Sequence, residues 1–281
     1  MKISIIISTL GRKNELEDLL LSMGEINNFS HEILIIDQNF NSLLDDLVNK
    51  FSKQFNITHH KVDFRSLSRA KNFGIKIAKG ELICFPDDDS RFLKKTIING
   101  ISFLDNNSEI DMVFGKCIDS DGNDSVINYN NESGYLNLKN FEGKFIESAM
   151  FSRTKILKKN LFDENLGIGS FFGAEEGYDL VFRLLSLNKK IYFQKNILFY
   201  HPQTILDYDS VSALRRVYNY RLGFAYLCTK HSLYLKYLKR LFIVFCLIPH
   251  SFLINRKKYK YYLIELLSLI VGAVFAKKQL K

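Results

Sequence analysis

The sequence predicts an α/β fold: a mostly parallel sheet flanked by helices, followed by a C-terminal helical hairpin. Three observations carry this. Short β-branched runs, such as residues 2–8 and 31–37, read as strands buried on both faces. Between such runs apolar residues recur at helical spacing, giving the order β-α-β-α-β-α-β that a parallel sheet with crossover helices requires. Charge is segregated: of a net +9, residues 230–281 carry about +10, with eleven Lys and Arg and the single acid Glu265.

In chain order, the strand at 2–8 turns at Thr9–Arg12, and Leu16, Leu19, Leu20 and Met23 mark a helix. Residues 31–37 form a second strand ending on an acid, and Leu43, Leu44, Leu47 and Phe51 a second helix. Residues 57–62 form a third strand, with His59 and His60 read as edge or surface residues because no further ligand has suitable spacing. Leu67, Ala70, Phe73 or Gly74, and Ile77 stripe a third helix that stops at Gly80. The fourth strand, residues 82–85, ends at Pro86, which cannot donate to a sheet ladder. Beyond it the pattern predicts a helix at 93–104 and strands at 111–117, 145–151, 190–194 and one ending at His201, then a helix at 211–227. Residues 119–143, rich in Asn, Gly, Ser and Asp, read as a long irregular or hairpin region.

The carboxylates Asp87, Asp88 and Asp89 follow Pro86 at once. Three adjacent acids at a strand tip repel each other, which suits either a solvated loop or a hard cation with oxygen ligands, Mg²⁺ or Mn²⁺. In open α/β sheets ligands bind beyond the carboxyl ends of the strands, where these acids lie. A dinucleotide fingerprint and a P-loop are both absent. Cys84, Cys117, Cys228 and Cys246 are widely spaced, so neither a zinc site nor a disulfide framework is expected, and a reducing compartment fits. The N-terminus reads directly as a strand rather than a signal peptide.

Five stretches, taken together and in order, resemble the family 2 glycosyltransferases, which adopt the GT-A fold: Ser4-Ile-Ile-Ile-Ser-Thr-Leu-Gly-Arg12, Glu32-Ile-Leu-Ile-Ile-Asp37, Leu67-Ser-Arg-Ala-Lys-Asn-Phe-Gly-Ile75, Phe85-Pro-Asp-Asp-Asp89 and Gly173-Ala-Glu-Glu-Gly-Tyr-Asp-Leu180. The chain departs from the family pattern at Ser8, usually Pro, and at Lys71, usually Arg. The resemblance covers about residues 3–202 and implies a Rossmann-like nucleotide-binding domain over 1–205, with 206–281 as a C-terminal helical segment.

It also implies roles. Thr9, Arg12 and Asp37 would line the base and ribose of a nucleotide sugar, expected as a UDP-sugar, with a helix N-cap as the other reading of Asp37. Arg69 and Lys71 would lie near the donor phosphates or on a solvated helix face. Asp87 and Asp89 would form a DxD pair, Asp89 on the metal and Asp87 near metal and ribose, with Asp88 beside the donor and His201 completing the metal site. Glu176 would be the general base of an inverting transfer, with Glu175 and Asp179 as alternates. Acids at those positions also favour a helix N-terminus through its dipole.

Two apolar runs, 241–254 and 261–276, are each shorter than the ~20 residues a spanning helix needs, with Pro249 and His250 expected to break the first and Glu265 interrupting the second. Basic residues at all their ends suit an interfacial hairpin on the anionic cytoplasmic face of the cell membrane, peripheral or monotopic, and a buried helix pair is the other reading. Such long apolar runs speak against nucleic acid as a partner. With the resemblance, they imply a glycan or lipid-linked acceptor in surface polysaccharide synthesis. The rival readings are a nucleotide-sugar-forming nucleotidyltransferase and a non-catalytic membrane-bound scaffold. The first is disfavoured by the glycine-poor turn after the first strand, the second by the intact acids.

Overall fold

A computed structural model describes residues 1–129, 132–203 and 207–280. The chain forms two compact units. The first comprises Met1–Arg65, Arg69–Phe162 and Leu180–Thr204, the second Ser66–Ser68, Asp163–Asp179 and Ile205–Lys281.

The first unit is built on β1 (Ile3–Thr9), α1 (Lys13–Leu21), β2 (His31–Asp37), α2 (Asp45–Phe51), β3 (Ile57–Lys61), α3 (Leu67–Ile77) and β4 (Leu82–Cys84). It continues with β5 (Arg91–Phe92), α4 (Thr96–Asn106), β6 (Met112–Ile118), β7 (Gly134–Leu136), β8 (Met150–Arg153), α5 (Thr154–Lys159), α6 (Glu176–Ser186) and β9 (Ile191–Tyr200), although Leu67 and Ser68 of α3 and residues 176–179 of α6 belong to the second unit. The described strands make one sheet in the order β3-β2-β1-β4-β8-β6-β9-β5, with β7 on β9. β1 to β4 pair in parallel, as the alternation of strands and helices requires. From β8 onward the sheet is mixed: β8 runs antiparallel to β4 and β6, while β6 and β9 run parallel.

The β-branched side chains of β1 and β2 are almost wholly buried, because strands inside a parallel sheet have no solvent face. The Arg153 guanidinium donates to the carbonyls of Leu104 and Asn107, which the end of α4 would leave orphaned, and to that of Ile110 in the following loop.

Two of the expected strands need correction. The strand expected at 145–151 begins only at Met150: Phe145 sits in the preceding loop, its ring 4.7 Å from that of Phe114, and Glu147–Ala149 is a 3₁₀ turn. Its apolar character reflects aromatic packing and not a ladder. The two strands expected around 190–201 are one, β9, continuing through the exposed Lys195 and Asn196. Opposite, the β6 register shifts between Phe114 and Lys116, and Gly115 abuts the Ile197 carbonyl where a side chain would collide. The region 119–143 contains β7.

The second unit contains α7 (Val211–Lys230), α8 (Tyr234–Ile254) and α9 (Arg256–Gln279). Ser210 caps α7 by accepting from the Ala213 amide. α9 packs along α7, with Gly272 so close to Ala225 and Leu222 that a Cβ would collide. Leu166, Phe172, Leu222, Tyr226 and Ala276 form one core cluster, and Phe224, Cys228, Val244 and Leu269 a second. At 21 and 24 residues, α8 and α9 are long enough to span a membrane by length and composition, more than their apolar runs suggest. α8 also carries Pro249 without breaking, because the proline falls in its last two turns and removes a single backbone donor.

Candidate active site

The site grows out of the carboxyl ends of β1, β2 and β4 in the first unit. After β1 the chain turns at Gly11, whose φ of 75° is open to glycine at little cost, and its amide donates to the Asn39 side chain at 2.9 Å. Asp37, at the end of β2, has no exposed surface. One of its oxygens accepts from the Asn39 amide and side chain, the other lies 2.9 Å from His59 Nε2. Burial pushes the Asp37 carboxyl up, but His59 and Asn39 outweigh it and hold the group below the usual carboxylate value. His59 is on the edge strand β3, as expected, yet it is also the partner of Asp37.

Beyond β4 the three acids separate. Asp88, buried, and Asp89 both receive Arg12, whose Nη1 lies 2.8 and 2.6 Å from their oxygens. Burial raises Asp88 to about 6 against the opposing charge of Arg12. Asp87 and Asp89 instead face His201, just past β9, with Nε2 3.6 Å from one and 3.7 Å from the other. His201 Nδ1 lies 2.9 Å from the Pro202 carbonyl, which can only accept, so Nδ1 carries a proton and Nε2 is the nitrogen turned to the acids. Burial would push Asp87 up, but His201 and the charges of Lys71 and Arg12 hold it below the usual range.

One oxygen of Asp87, one of Asp89 and a nitrogen of His201 lie within 4.8 Å of one another. Two hard oxygens and an imidazole fit Mn²⁺, or Mg²⁺ sharing phosphate oxygens, and leave coordination positions for a ligand. The basic side chains flank these acids. Lys71, almost fully buried in α3, pairs with Glu147 at 3.1 Å and lies over the Phe162 ring. Arg69 stacks on Phe64 at 4.0 Å. Thr9 is buried at the end of β1.

Glu175, Glu176 and Asp179 belong to the second unit. Glu175 has φ 75°, uncommon for a residue with a side chain and a sign of local strain at the start of α6. Glu176, buried, opens the helix, and Gly167 approaches its carboxyl so closely that a Cβ there would press on it. Asp179 is fully buried and bound by Lys230 at 2.7 Å and His231 at 2.8 Å. The sequence reading missed Asn39, Glu147 and His231. For His59 a signal existed: in parallel register Lys61 stands opposite Asp37, so His59, two residues away, shares its face.

The family model described as Glycosyl transferase family 2 matches residues 4–166, more than half of the chain. An uncharacterized glycosyltransferase, MJ1057 of Methanocaldococcus jannaschii, is 24% identical over 48% of this chain and 49% of its own. The minor teichoic acid biosynthesis protein GgaB of Bacillus subtilis is 28% identical over 52% of this chain and 16% of its own. The chain thus spans about half the length of one curated relative and under a fifth of the other. Among solved structures, S. aureus TarS 1–349 superposes with a TM-score of 0.61 at 15% identity, covering 99% of this chain and 92% of that one. The mannosyltransferase PcManGT of Pyrobaculum calidifontis, solved with GDP-Man and Mn²⁺, gives 0.59 at 11% identity, covering 99% and 74%. At these identities the likeness is one of fold.

Proposed function

The chain belongs to glycosyl transferase family 2, and on that premise we infer that it moves a sugar from a nucleotide-sugar donor to a hydroxyl of a membrane-associated glycan or lipid-linked acceptor. The observation that carries this is the convergence of Asp87, Asp89 and His201 beyond the central strand β4, with Arg12 and Lys71 beside them. Nucleotide sugars are anionic diphosphates, and a site for them needs cationic partners at a strand-end crevice.

In this reading Asp87, Asp89 and His201 hold a divalent cation, which when bound would neutralise charge growing on the leaving diphosphate. Lys71 and Arg69 face the donor phosphates, and Thr9, Arg12, Asp37 and Asp88 surround base and ribose. Glu176 takes the acceptor hydroxyl proton as that oxygen forms a bond to the anomeric carbon. The bond from that carbon to the diphosphate oxygen breaks, its electron pair leaves with the nucleoside diphosphate, and the anomeric configuration inverts. Glu175 and Asp179 are the alternates, and Asp179 is held by two cationic partners, Lys230 and His231. The apolar helices α8 and α9 and the relative in teichoic acid biosynthesis support an acceptor in surface polysaccharide assembly at the cytoplasmic face of the membrane.

The test is release of nucleoside diphosphate by the purified full chain across UDP- and GDP-sugars with a glycan acceptor. Glu176→Gln is expected to bind donor as wild type does and to lose about 10²–10⁴-fold in turnover. Turnover near wild type would remove Glu176 as the base.

A further inference from the structure

The second unit leaves an apolar surface open on its two C-terminal helices. α8 packs inward through Leu241, Val244 and Ile248, yet its opposite face is also apolar. There Leu235, Leu238, Phe242 and Leu253 are 85%, 54%, 69% and 81% exposed. From residue 241 to 254 the helix carries no Lys, Arg, Asp or Glu, and an apolar surface of that extent is one that solvent does not surround. Along α9 a single stripe at three- and four-residue steps reads Arg256, Lys260, Leu263, Leu267, Ile270, Val274, Lys278: basic, apolar, basic. The four apolar members are 39–63% exposed, and the inward side of the helix holds Glu265, Leu269, Gly272 and Ala276.

Two features indicate what covers this surface. The first is charge: nine Lys and Arg lie on α8 and α9, and the one acid, Glu265, is turned inward, 2.6 Å from Arg221 and 2.7 Å from Arg240. Arg240 is bound by Glu265, and Lys257 lies 3.7 Å from Asp209; the other seven cations complement anionic headgroups, whereas a second copy of the same surface would repel. The second is length and anchorage. The runs between basic residues, 241–254 and 261–276, reach roughly 21 and 24 Å at ~1.5 Å per residue, short of a hydrocarbon core of ~30 Å. The inward face of α9 is bound to α7 through Glu265 and Gly272, and α7 carries Arg215, Arg216 and Arg221, which resist entry into hydrocarbon.

We propose that α8 and α9 dock flat on a bilayer surface bearing anionic headgroups. The outward apolar stripes seat at the headgroup–acyl boundary, and Arg256, Lys260 and Lys278 meet lipid phosphates. This rests on the membrane association suggested above and adds to it the docking face and its orientation.

The test is flotation of the full chain with vesicles of phosphatidylcholine alone or mixed with phosphatidylglycerol, combined with depth quenching. Of the four cysteines, Cys246 on α8 is the exposed one, so it takes a fluorophore. Wild type is expected to float with anionic vesicles and to release at high salt. Quenching should be stronger from lipids with nitroxides near the headgroup than at the chain terminus. Phe242→Asp with Leu267→Asp should lower the floated fraction on the order of tenfold with an unchanged unfolding midpoint. Flotation with the strongest quenching from the chain terminus would mean a spanning hairpin: membrane association would stand and flat docking would fall. No flotation, or a dimer that the double variant turns into a monomer, would overturn the proposal. Nucleoside diphosphate release with a soluble acceptor is expected to be the same in the variant, so the enzymatic reading stands or falls separately.

Discussion

Asp37 is a fully buried carboxylate whose hydrogen bonds to Asn39 and His59 hold it ionised against burial. Its folded value lies below the unfolded one, so its contribution to stability is present above the unfolded value and lost as pH falls through the folded one. The stability gap between wild type and Asp37→Asn is therefore expected to be level above about pH 5 and to close below about pH 4 in denaturant titrations. A gap that grows on acidification would contradict this. Lys71→Met removes the cation that reaches Asp87 and pairs with Glu147, and nucleotide affinity by calorimetry should fall roughly tenfold to a hundredfold. At this scale the sequence was readable where a breaker and a charge coincide, as at Pro86 and the acids after it. It was not readable where a contact depends on register or on a loop. His59 reaches Asp37 only once β3 pairs with β2, and Glu147 meets Lys71 from a 3₁₀ turn that alternation alone reads as strand.

At the scale of elements, the parallel strands β1, β2 and β4 were legible because each is a largely apolar run, and β3, Ile57–Lys61, mainly from its place between two helical patterns. The second half was less so. β9 carries two exposed polar residues mid-strand, which read as a turn until the shifted register of β6 accommodates them. The contact of α7 with α9 was invisible in sequence, since it depends on a glycine and a buried acid 44 residues from its arginine. Gly272→Leu would place a side chain against Ala225 and the Leu222 backbone, and should cost about 1–3 kcal/mol, read as a lowered thermal midpoint. Glu265→Ala leaves Arg221 and Arg240 unpaired; both remain about a quarter exposed, so a loss of about 2 kcal/mol is expected rather than the full cost of a wholly buried pair. A midpoint unchanged in either variant would mean that α9 is not held on α7 as described.

At the scale of the whole molecule, the charge asymmetry follows the division of labour along the chain. Residues 1–229 are close to neutral and carry the strand-end cluster, while the basic excess lies with the apolar C-terminal helices. One average of +9 hides both facts. Asp87, Asp89 and His201 are proposed as a divalent-cation centre for a nucleotide sugar. Calorimetric titration of UDP, dTDP, GDP and CMP into the full chain, with and without Mn²⁺, tests it most directly when repeated on Asp89→Asn. One nucleotide is expected to bind only with Mn²⁺, and Asp89→Asn to weaken this binding on the order of a hundredfold or more while the protein stays folded. Binding that ignores both Mn²⁺ and the substitution would contradict it.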